Sequence, residues 1–125
     1  MPQALSHIAL IVSNPTRSAH LLTGVFDDAR IVREEDPNDS HPEVIVWLAG
    51  LEFALIRGSG PAARNGDHIA FRVSKAEQLA CAARLDELAL DYQMARHDTA
   101  LYFSDYDNHV FELDVVDEGE HEAVG

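Results

Sequence analysis

Two stretches of the chain, LSHIALIV at residues 5–12 and GDHIAFRV at residues 66–73, each place a histidine and an Ile-Ala pair at the start of a strand-like run. His7 and His68 are separated by 68 − 7 = 61 positions. This period is far too long for a solenoid unit, so it predicts two βα modules folded as a pseudo-symmetric pair. In such a pair the two histidines occupy equivalent strand positions, and we expect them to meet.

The residues after the first repeat predict a βαβββ module over residues 4–57. Asn14 and Pro15 are typical of a helix N-cap and of the first helical position. The helix is expected to end near Asp27 and Asp28. Three further β-prone runs are predicted as strands at 29–33, 43–48 and 51–56.

The second repeat predicts the same order over residues 67–116. Ser74 and Glu77 form a capping-box pattern in which each side chain satisfies an exposed backbone donor near the other. The apolar face of the helix that follows is predicted at Leu79, Ala80, Ala83 and Leu88. Three strands then follow, at 90–94, 100–104 and 109–115. The fold class is therefore α+β, with two βαβββ modules forming a curled mixed sheet that has a concave, ligand-binding face.

Composition limits the class of partner. The 125 residues, 46% of them hydrophobic, suit one domain over residues 1–125. A formal net charge of −13 argues against nucleic acid and anionic membranes as partners, and residues 117–125 read as an acidic tail. Neither a signal peptide nor a membrane span is predicted. The lone cysteine, Cys81, fits the cytoplasm, where we expect the protein to act.

Strand alternation suggests a metal site. His7 and His68 head the inward faces of their strands, and Glu112 lies among apolar neighbours on the last strand. Two neutral imidazoles and one carboxylate make a facial set that leaves open positions on Mn²⁺, Fe²⁺, Zn²⁺, Ni²⁺ or Co²⁺. A single histidine carries little information, but the symmetry of the repeat favours ligation over ordinary strand positions.

Further residues are candidates for the same pocket. Aligning Phe-Glu-Leu at 111–113 with Leu-Glu-Phe at 51–53 makes Glu52 the counterpart of Glu112 in module one. Glu52 is then either a fourth ligand or a solvent-facing carboxylate beside a turn. Glu43 heads a strand, where it is either a general base at the pocket mouth or a polar strand start. Tyr102 and Ser104 share a face and either line the pocket or belong to the core.

These residues resemble the vicinal oxygen chelate superfamily, which includes glyoxalase I, extradiol dioxygenases and bleomycin-binding proteins. Within it, LSHI at 5–8, LAGL at 48–51, DHIAF at 67–71 and YFSDYDNHVFEL at 102–113 are most similar to the fosfomycin-resistance epoxide hydrolases. The resemblance covers nearly the whole chain. It implies metal binding, with Mn²⁺ favoured, and a homodimer acting on a small-molecule substrate.

The resemblance also implies roles for individual residues. His7, His68 and Glu112 are the implied ligands, and Glu43 stands where the family's glutamate activates water against the epoxide. Thr99 and Ala100 replace the arginine and serine that help to hold the phosphonate, in a loop that is several residues shorter. Glu52 replaces a pocket tryptophan, and its charge is expected to repel a phosphonate. The guanidinium groups of Arg72 and Arg96 are candidates to compensate.

Three functions are open at this stage. The first is a divalent-metal-dependent enzyme of the fosfomycin-resistance type that adds water to an epoxide or acts on a related small oxygenated substrate. A glyoxalase-like isomerase or lyase is the second, favoured if Glu52 is a ligand. The third is a protein that binds a drug or metabolite without chemistry, which the predicted metal triad argues against.

Overall fold

The computed structural model describes residues 1–40 and 42–116, so the predicted acidic tail at 117–125 lies outside the described residues. The chain forms two compact units. Unit 1 comprises Met1–Asn65 together with Asp105–His109, and unit 2 comprises Gly66–Ser104 and the described residues from 110 onward. No helix in the described ranges combines the length and apolarity that crossing a membrane requires.

The predicted order of elements is confirmed in both modules, with strand and helix ends shifted by one or two residues. Module one contains β1 (His7–Val12), α1 (Pro15–Val25), β2 (Arg30–Arg33), β3 (Glu43–Leu48) and β4 (Leu51–Arg57). Module two contains β5 (His68–Arg72), α2 (Lys75–Glu87), β6 (Tyr92–Ala95), β7 (Ala100–Ser104) and β8 (Val110–Asp114).

The α+β class is also confirmed, and each module builds its own four-stranded mixed sheet. The strand orders are β1-β4-β3-β2 and β5-β8-β7-β6, so the two sheets have the same topology. In each sheet the histidine-bearing strand runs parallel to the last strand of its module, and the other pairs are antiparallel. The sequence repeat therefore corresponds to a repeated sheet.

Unit 1 buries one face of its sheet under α1. Asn14 caps this helix by accepting a hydrogen bond from Arg17 N at 3.1 Å, as the Asn-Pro pair predicted. Alternate residues of β3 and β4, including Val44, Val46, Phe53 and Leu55, are almost fully buried. The other face, which begins with His7 on β1, is left open within the unit.

Unit 2 repeats this division. The capping box at Ser74 and Glu77 is present, and Phe111 stacks against Phe103 with ring centroids 5.3 Å apart in the covered face. Leu101 and Leu113 are fully buried on the same side. The opposite face carries the alternate residues, from His68 on β5 to Glu112 on β8 and Tyr102 on β7.

The predicted apolar face of α2 is wrong. Leu79 is 58% exposed and Leu88 41% exposed, whereas the buried positions are Gln78, Cys81 and Leu85. Gln78 is fully buried because its amide donates hydrogen bonds to Thr99 O at 3.1 Å and Leu113 O at 3.2 Å. Satisfying these two carbonyls turns the helix away from the face that hydrophobicity alone would select.

The turn between β7 and β8 belongs to unit 1 although it lies inside module two. Asp107 Oδ1 accepts a hydrogen bond from Ser13 N at 3.0 Å, and Asn108 donates one to Pro61 O at 2.8 Å. Within the turn, His109 Nδ1 lies 2.8 Å from Asp105 Oδ2. The turn is thus held at both ends by specific polar contacts.

Candidate metal centre

The open face of unit 2 brings two of the predicted ligands together. His68 Nε2 lies 3.2 Å from Glu112 Oε1. Strand pairing explains the approach, because His68 is in register with Val110 and Ala70 with Glu112, which puts both side chains on one face in adjacent rows. Glu112 is 96% buried by the rest of the chain, since its residue exposure is 4%.

A backbone carbonyl orients the His68 ring. Nδ1 lies 3.0 Å from Gly66 O, and a carbonyl oxygen only accepts, so Nδ1 carries the proton and donates it. In the neutral ring this leaves a lone pair on Nε2, aimed at Glu112. Such a bond on the remote nitrogen is the usual way in which a protein fixes the tautomer of a metal-binding histidine.

This donor set fits a divalent cation. With Nε2 unprotonated and Glu112 ionised, two lone-pair donors face each other, and a cation between them removes their repulsion. Bonds of about 2.1 Å at angles of roughly 90–109° place two donors on one ion about 3.0–3.4 Å apart. The observed 3.2 Å lies within that range.

Arg96 and Tyr102 complete this group in unit 2. Arg96 Nη2 donates hydrogen bonds to Glu112 Oε2 and, at 3.1 Å, to the Tyr102 hydroxyl. Burial, followed by the hydrogen bond and the negative charge of nearby Glu112, raises the pKa of the Tyr102 phenol. The tyrosine ring also meets the His68 ring edge-on, with centroids 6.0 Å apart.

His7 lies in a separate donor group, on the open face of unit 1. It lines a cleft of about 450 Å³ together with Val32, Arg33, Glu43, Ile45, Glu52 and Ala54. Its Nδ1 lies 3.0 Å from Ser6 Oγ. Both repeat histidines therefore have a polar partner on Nδ1, but only the carbonyl beside His68 fixes the tautomer, because a serine hydroxyl both donates and accepts.

Glu43 is held in this cleft by an ion pair that the sequence did not predict. Arg33 Nη2 lies 2.7 Å from Glu43 Oε1 and 3.7 Å from Asp39 Oδ2. The Glu43 side chain remains 23% exposed. Arg33 was missed because nothing in the sequence indicates that β2 and β3 pair with the shift that brings Arg33 opposite Ile45.

Glu52 faces the cleft, but it is not the structural counterpart of Glu112. It is in register with His7, whereas Glu112 is in register with Ala70, two residues beyond His68. The position of unit 1 that corresponds to Glu112 is therefore Ala54, which pairs with Ala9. Symmetry between the modules thus gives no support to Glu52 as a fourth ligand, although its side chain shares the face of His7.

Two further predicted residues, Ser104 and Arg72, lie on the open face of unit 2. Ser104 is in register with Val110, next to the row of Glu112. Arg72 is in register with Asp114, one row beyond Glu112 on the other side. Thr99 has a structural role, because its Oγ1 donates a hydrogen bond to Arg96 O at 2.7 Å, and Ala100 is fully buried.

Within residues 1–40 and 42–116, no group of three or more His, Cys, Asp or Glu side chains is gathered so as to hold a metal. The structure instead shows the two donor groups above, one on each unit. His68 and Glu112 are brought together, and His7 is brought together with Glu43 and Glu52.

Known proteins are similar to this chain in both sequence and fold. No protein-family model matches the chain. The fosfomycin resistance protein FosX of Mesorhizobium japonicum is 33% identical over 119 residues, which cover 90% of this chain and 86% of that protein.

Two solved structures extend the comparison. The crystal structure of FosX from Mesorhizobium loti superposes with a TM-score of 0.85 at 34% identity, covering 98% of this chain and 99% of that one. A FosX variant from Listeria monocytogenes, complexed with Mn(II) and 1S,2S-dihydroxypropylphosphonic acid, gives a TM-score of 0.84 at 26% identity, covering 97% of this chain and 98% of that one. The resemblance seen in the sequence is confirmed, and the chain belongs to the FosX family of fosfomycin resistance proteins within the vicinal oxygen chelate superfamily.

Proposed function

We propose that the protein is a divalent-metal-dependent enzyme that adds water to the epoxide of a small oxygenated substrate, with His7, His68 and Glu112 as the metal ligands. The observation that carries this proposal is the pair of donors formed by His68 Nε2 and Glu112 Oε1, 3.2 Å apart. Gly66 O holds the imidazole in the tautomer that a metal requires.

Manganese is the ion we propose, because FosX relatives have been crystallised with Mn(II). A divalent ion held by these residues would supply Lewis acidity, which favours the opening of an epoxide ring. Two imidazoles and one carboxylate leave coordination positions open for the substrate.

Glu43 is proposed as the general base. Its carboxylate lines the same cleft as His7, and Arg33 holds one of its oxygens at 2.7 Å. The carboxylate takes a proton from the attacking water as the new C–O bond forms and the epoxide C–O bond breaks. The ion pair with Arg33 fixes the direction in which Glu43 points.

Arg96, Tyr102, Ser104 and Arg72 are proposed to bind the substrate. Arg96 is the strongest of these, because its contacts to Glu112 and Tyr102 use Nη2 alone. A guanidinium has five N–H donors, and we propose that those on Nε and Nη1 bind an anionic group of the substrate. Arg96 thereby compensates for the family's arginine and serine, whose positions hold Thr99 and Ala100 here.

A homodimer in the cytoplasm completes the proposal. Some members of the superfamily complete each site with strands from both chains, and the two donor groups described above supply one part each. His7 of one chain would then join His68 and Glu112 of the same chain or of its partner.

The reaction is tested by incubating purified protein with Mn²⁺ and fosfomycin and following the phosphonate by phosphorus NMR. We expect a diol signal that requires metal and disappears in Glu43→Gln, whereas Glu87→Gln at the end of α2 behaves as wild type. Mn²⁺ binding by Glu43→Gln should be unchanged, since Glu43 is not a ligand.

Two results would contradict the proposal. Full turnover by Glu43→Gln would show that Glu43 is not the general base. A protein that binds no divalent metal, and whose His7→Ala variant is unchanged in every assay, would contradict the proposal of a metal-dependent enzyme. Tight metal and ligand binding without turnover of any epoxide would instead favour the drug- or metabolite-binding function.

A further inference from the structure

Glu112 uses its two carboxylate oxygens for different partners. Oε1 lies 3.2 Å from His68 Nε2, and Oε2 accepts a hydrogen bond from Arg96 Nη2. The carboxylate is buried, with 5% of its side chain exposed, whereas the Arg96 side chain is 58% exposed. A buried carboxylate needs a positive partner, and here the charge comes from a side chain that reaches in from solvent.

The turn that carries Arg96 is unusual for its sequence. Arg96, His97 and Asp98 have φ angles of 51°, 55° and 62°, so three successive residues with side chains adopt the left-handed conformation. Each costs of the order of 1 kcal/mol relative to ordinary backbone, and glycine or asparagine would avoid most of that cost.

Specific contacts hold this turn in place. Lys75 Nζ donates a hydrogen bond to Asp98 O at 2.7 Å, and Thr99 Oγ1 donates one to Arg96 O at 2.7 Å. The buried Gln78 amide fixes the next carbonyl, Thr99 O, at 3.1 Å. Helix α2 therefore anchors a strained turn whose first residue places a guanidinium on Glu112.

From this arrangement we propose that Arg96 is a positioning residue that serves as the internal counter-ion of Glu112. It neutralises the carboxylate in the metal-free protein, keeps Oε2 occupied, and leaves Oε1 as the single oxygen offered to a metal. Its charge opposes an incoming divalent cation, so Arg96 lowers the affinity of the site for metal. This inference rests on the proposed function, because it takes Glu112 to be a ligand.

Two consequences follow for the site. Because Glu112 ligates through one oxygen, it occupies one coordination position rather than two, and more positions stay open for the substrate. Because the guanidinium withdraws charge from the carboxylate, the bound ion is a stronger Lewis acid than with an unpaired glutamate.

The test is a Mn²⁺ titration followed by the electron paramagnetic resonance of free Mn²⁺, on wild type, Arg96→Gln and Arg96→Lys. Glutamine removes the charge, and lysine retains it. We expect Arg96→Gln to bind Mn²⁺ at least about tenfold more tightly, and Arg96→Lys to stay within about threefold of wild type. Arg64→Gln, in the segment between β4 and β5, removes the same charge elsewhere and should leave the Kd unchanged.

A second measurement separates positioning from structure. The melting temperature of metal-free Arg96→Gln should fall, because Glu112 loses its counter-ion, and saturating Mn²⁺ should restore it. Should the variant fail to fold without metal, the titration is repeated for all the proteins in an osmolyte such as trimethylamine N-oxide, which favours the folded state, because refolding against Mn²⁺ reports a Kd that includes the free energy of folding.

Some outcomes overturn this inference without touching the proposed function. An Arg96→Gln variant that melts lower but binds Mn²⁺ with the wild-type Kd has lost only a structural contact. Weaker binding by Arg96→Gln means that Arg96 promotes binding rather than opposing it. Wild-type protein that binds no Mn²⁺ at all would instead overturn the proposed function itself.

Discussion

At the scale of single residues, backbone carbonyl oxygens orient two side chains by accepting hydrogen bonds from them. Gly66 O holds His68 at 3.0 Å, and Thr99 O and Leu113 O hold Gln78. Hydropathy does not predict the orientation of either polar side chain, and in both cases a backbone acceptor fixes it. The geometry of the candidate site depends on these bonds as much as on its ligands.

Replacing Gln78 tests how much such side chain–backbone hydrogen bonds stabilise the fold. Gln78→Leu removes the donor to two carbonyls and the acceptor of Lys75 Nζ at 2.8 Å, so we expect the free energy of unfolding to fall by about 2 kcal/mol. Urea denaturation measures the change. Gln93→Leu on the open face of β6 is the control and should change stability little, and equal stability of the two variants would contradict the role of Gln78.

Some of the site was predictable from single residues and some was not. Alternation within the strands correctly put Glu112 on the face of His68. The sequence named Arg96 but did not place it, because its position depends on three left-handed residues without a glycine or asparagine to signal them. The register of Glu52 could not be predicted either, since a shift of β4 by two residues changes its neighbours but keeps the same side chains on each face.

At the level of elements, a charged pair holds together the loops beside the sheet of unit 1. In unit 1 the loop before β3 is tied to the end of β4, because Arg57 contacts Glu35 through Nε at 3.0 Å and Nη2 at 2.8 Å. Arg57 Nη1 also donates a hydrogen bond to Ser13 O at 3.1 Å, which links the residue after β1 to the same cluster. One guanidinium therefore joins three segments of unit 1.

This cluster predicts a particular dependence of stability on pH. The hydrogen bond from Arg57 and, after an opposing effect of burial, its positive charge lower the pKa of Glu35 below its usual 4.5. A lowered folded pKa stabilises the fold above about 4.5, and the contribution is lost as the pH falls through the lowered value.

Urea midpoints of wild type and Glu35→Gln across pH 7 to pH 3 test that dependence. The difference between the two should be constant above about 4.5 and should shrink on acidification, and Glu34→Gln, which removes the neighbouring carboxylate but keeps the Arg57–Glu35 pair, is the control variant. A difference that persists unchanged to pH 3 would contradict the ion pair's role.

The prediction of the elements succeeded because their signals are local. Asn14 before Pro15, the Ser74 and Glu77 box, and the Ala49-Gly50 turn, with φ of 55° and 75°, each mark an element boundary through nearby residues alone. The face of α2 was predicted wrongly because it depends on two carbonyls of distant strands, which hydrophobic periodicity does not contain.

Over the whole molecule, the repeated sheet topology explains why one histidine heads the open face of each unit. Divergence between the units then assigns different chemistry to them. Unit 2 keeps a carboxylate at the row of Ala70, and unit 1 has Ala54 there but gains Glu43 and Glu52 in its cleft. Under the proposed function, unit 2 supplies two of the metal ligands, and unit 1 supplies the third together with the proposed base.

A crystal structure of the protein with Mn²⁺, with anomalous diffraction recorded at the manganese edge, tests the proposed metal site most directly. We expect one strong anomalous peak per chain, bonded to Nε2 of a His7, Nε2 of His68 and Oε1 of Glu112. We also expect Glu52 to lie outside the coordination sphere and Arg96 to remain on Oε2. The absence of a peak at His68 and Glu112 in fully loaded crystals, or a peak ligated by other residues, would contradict the proposed site.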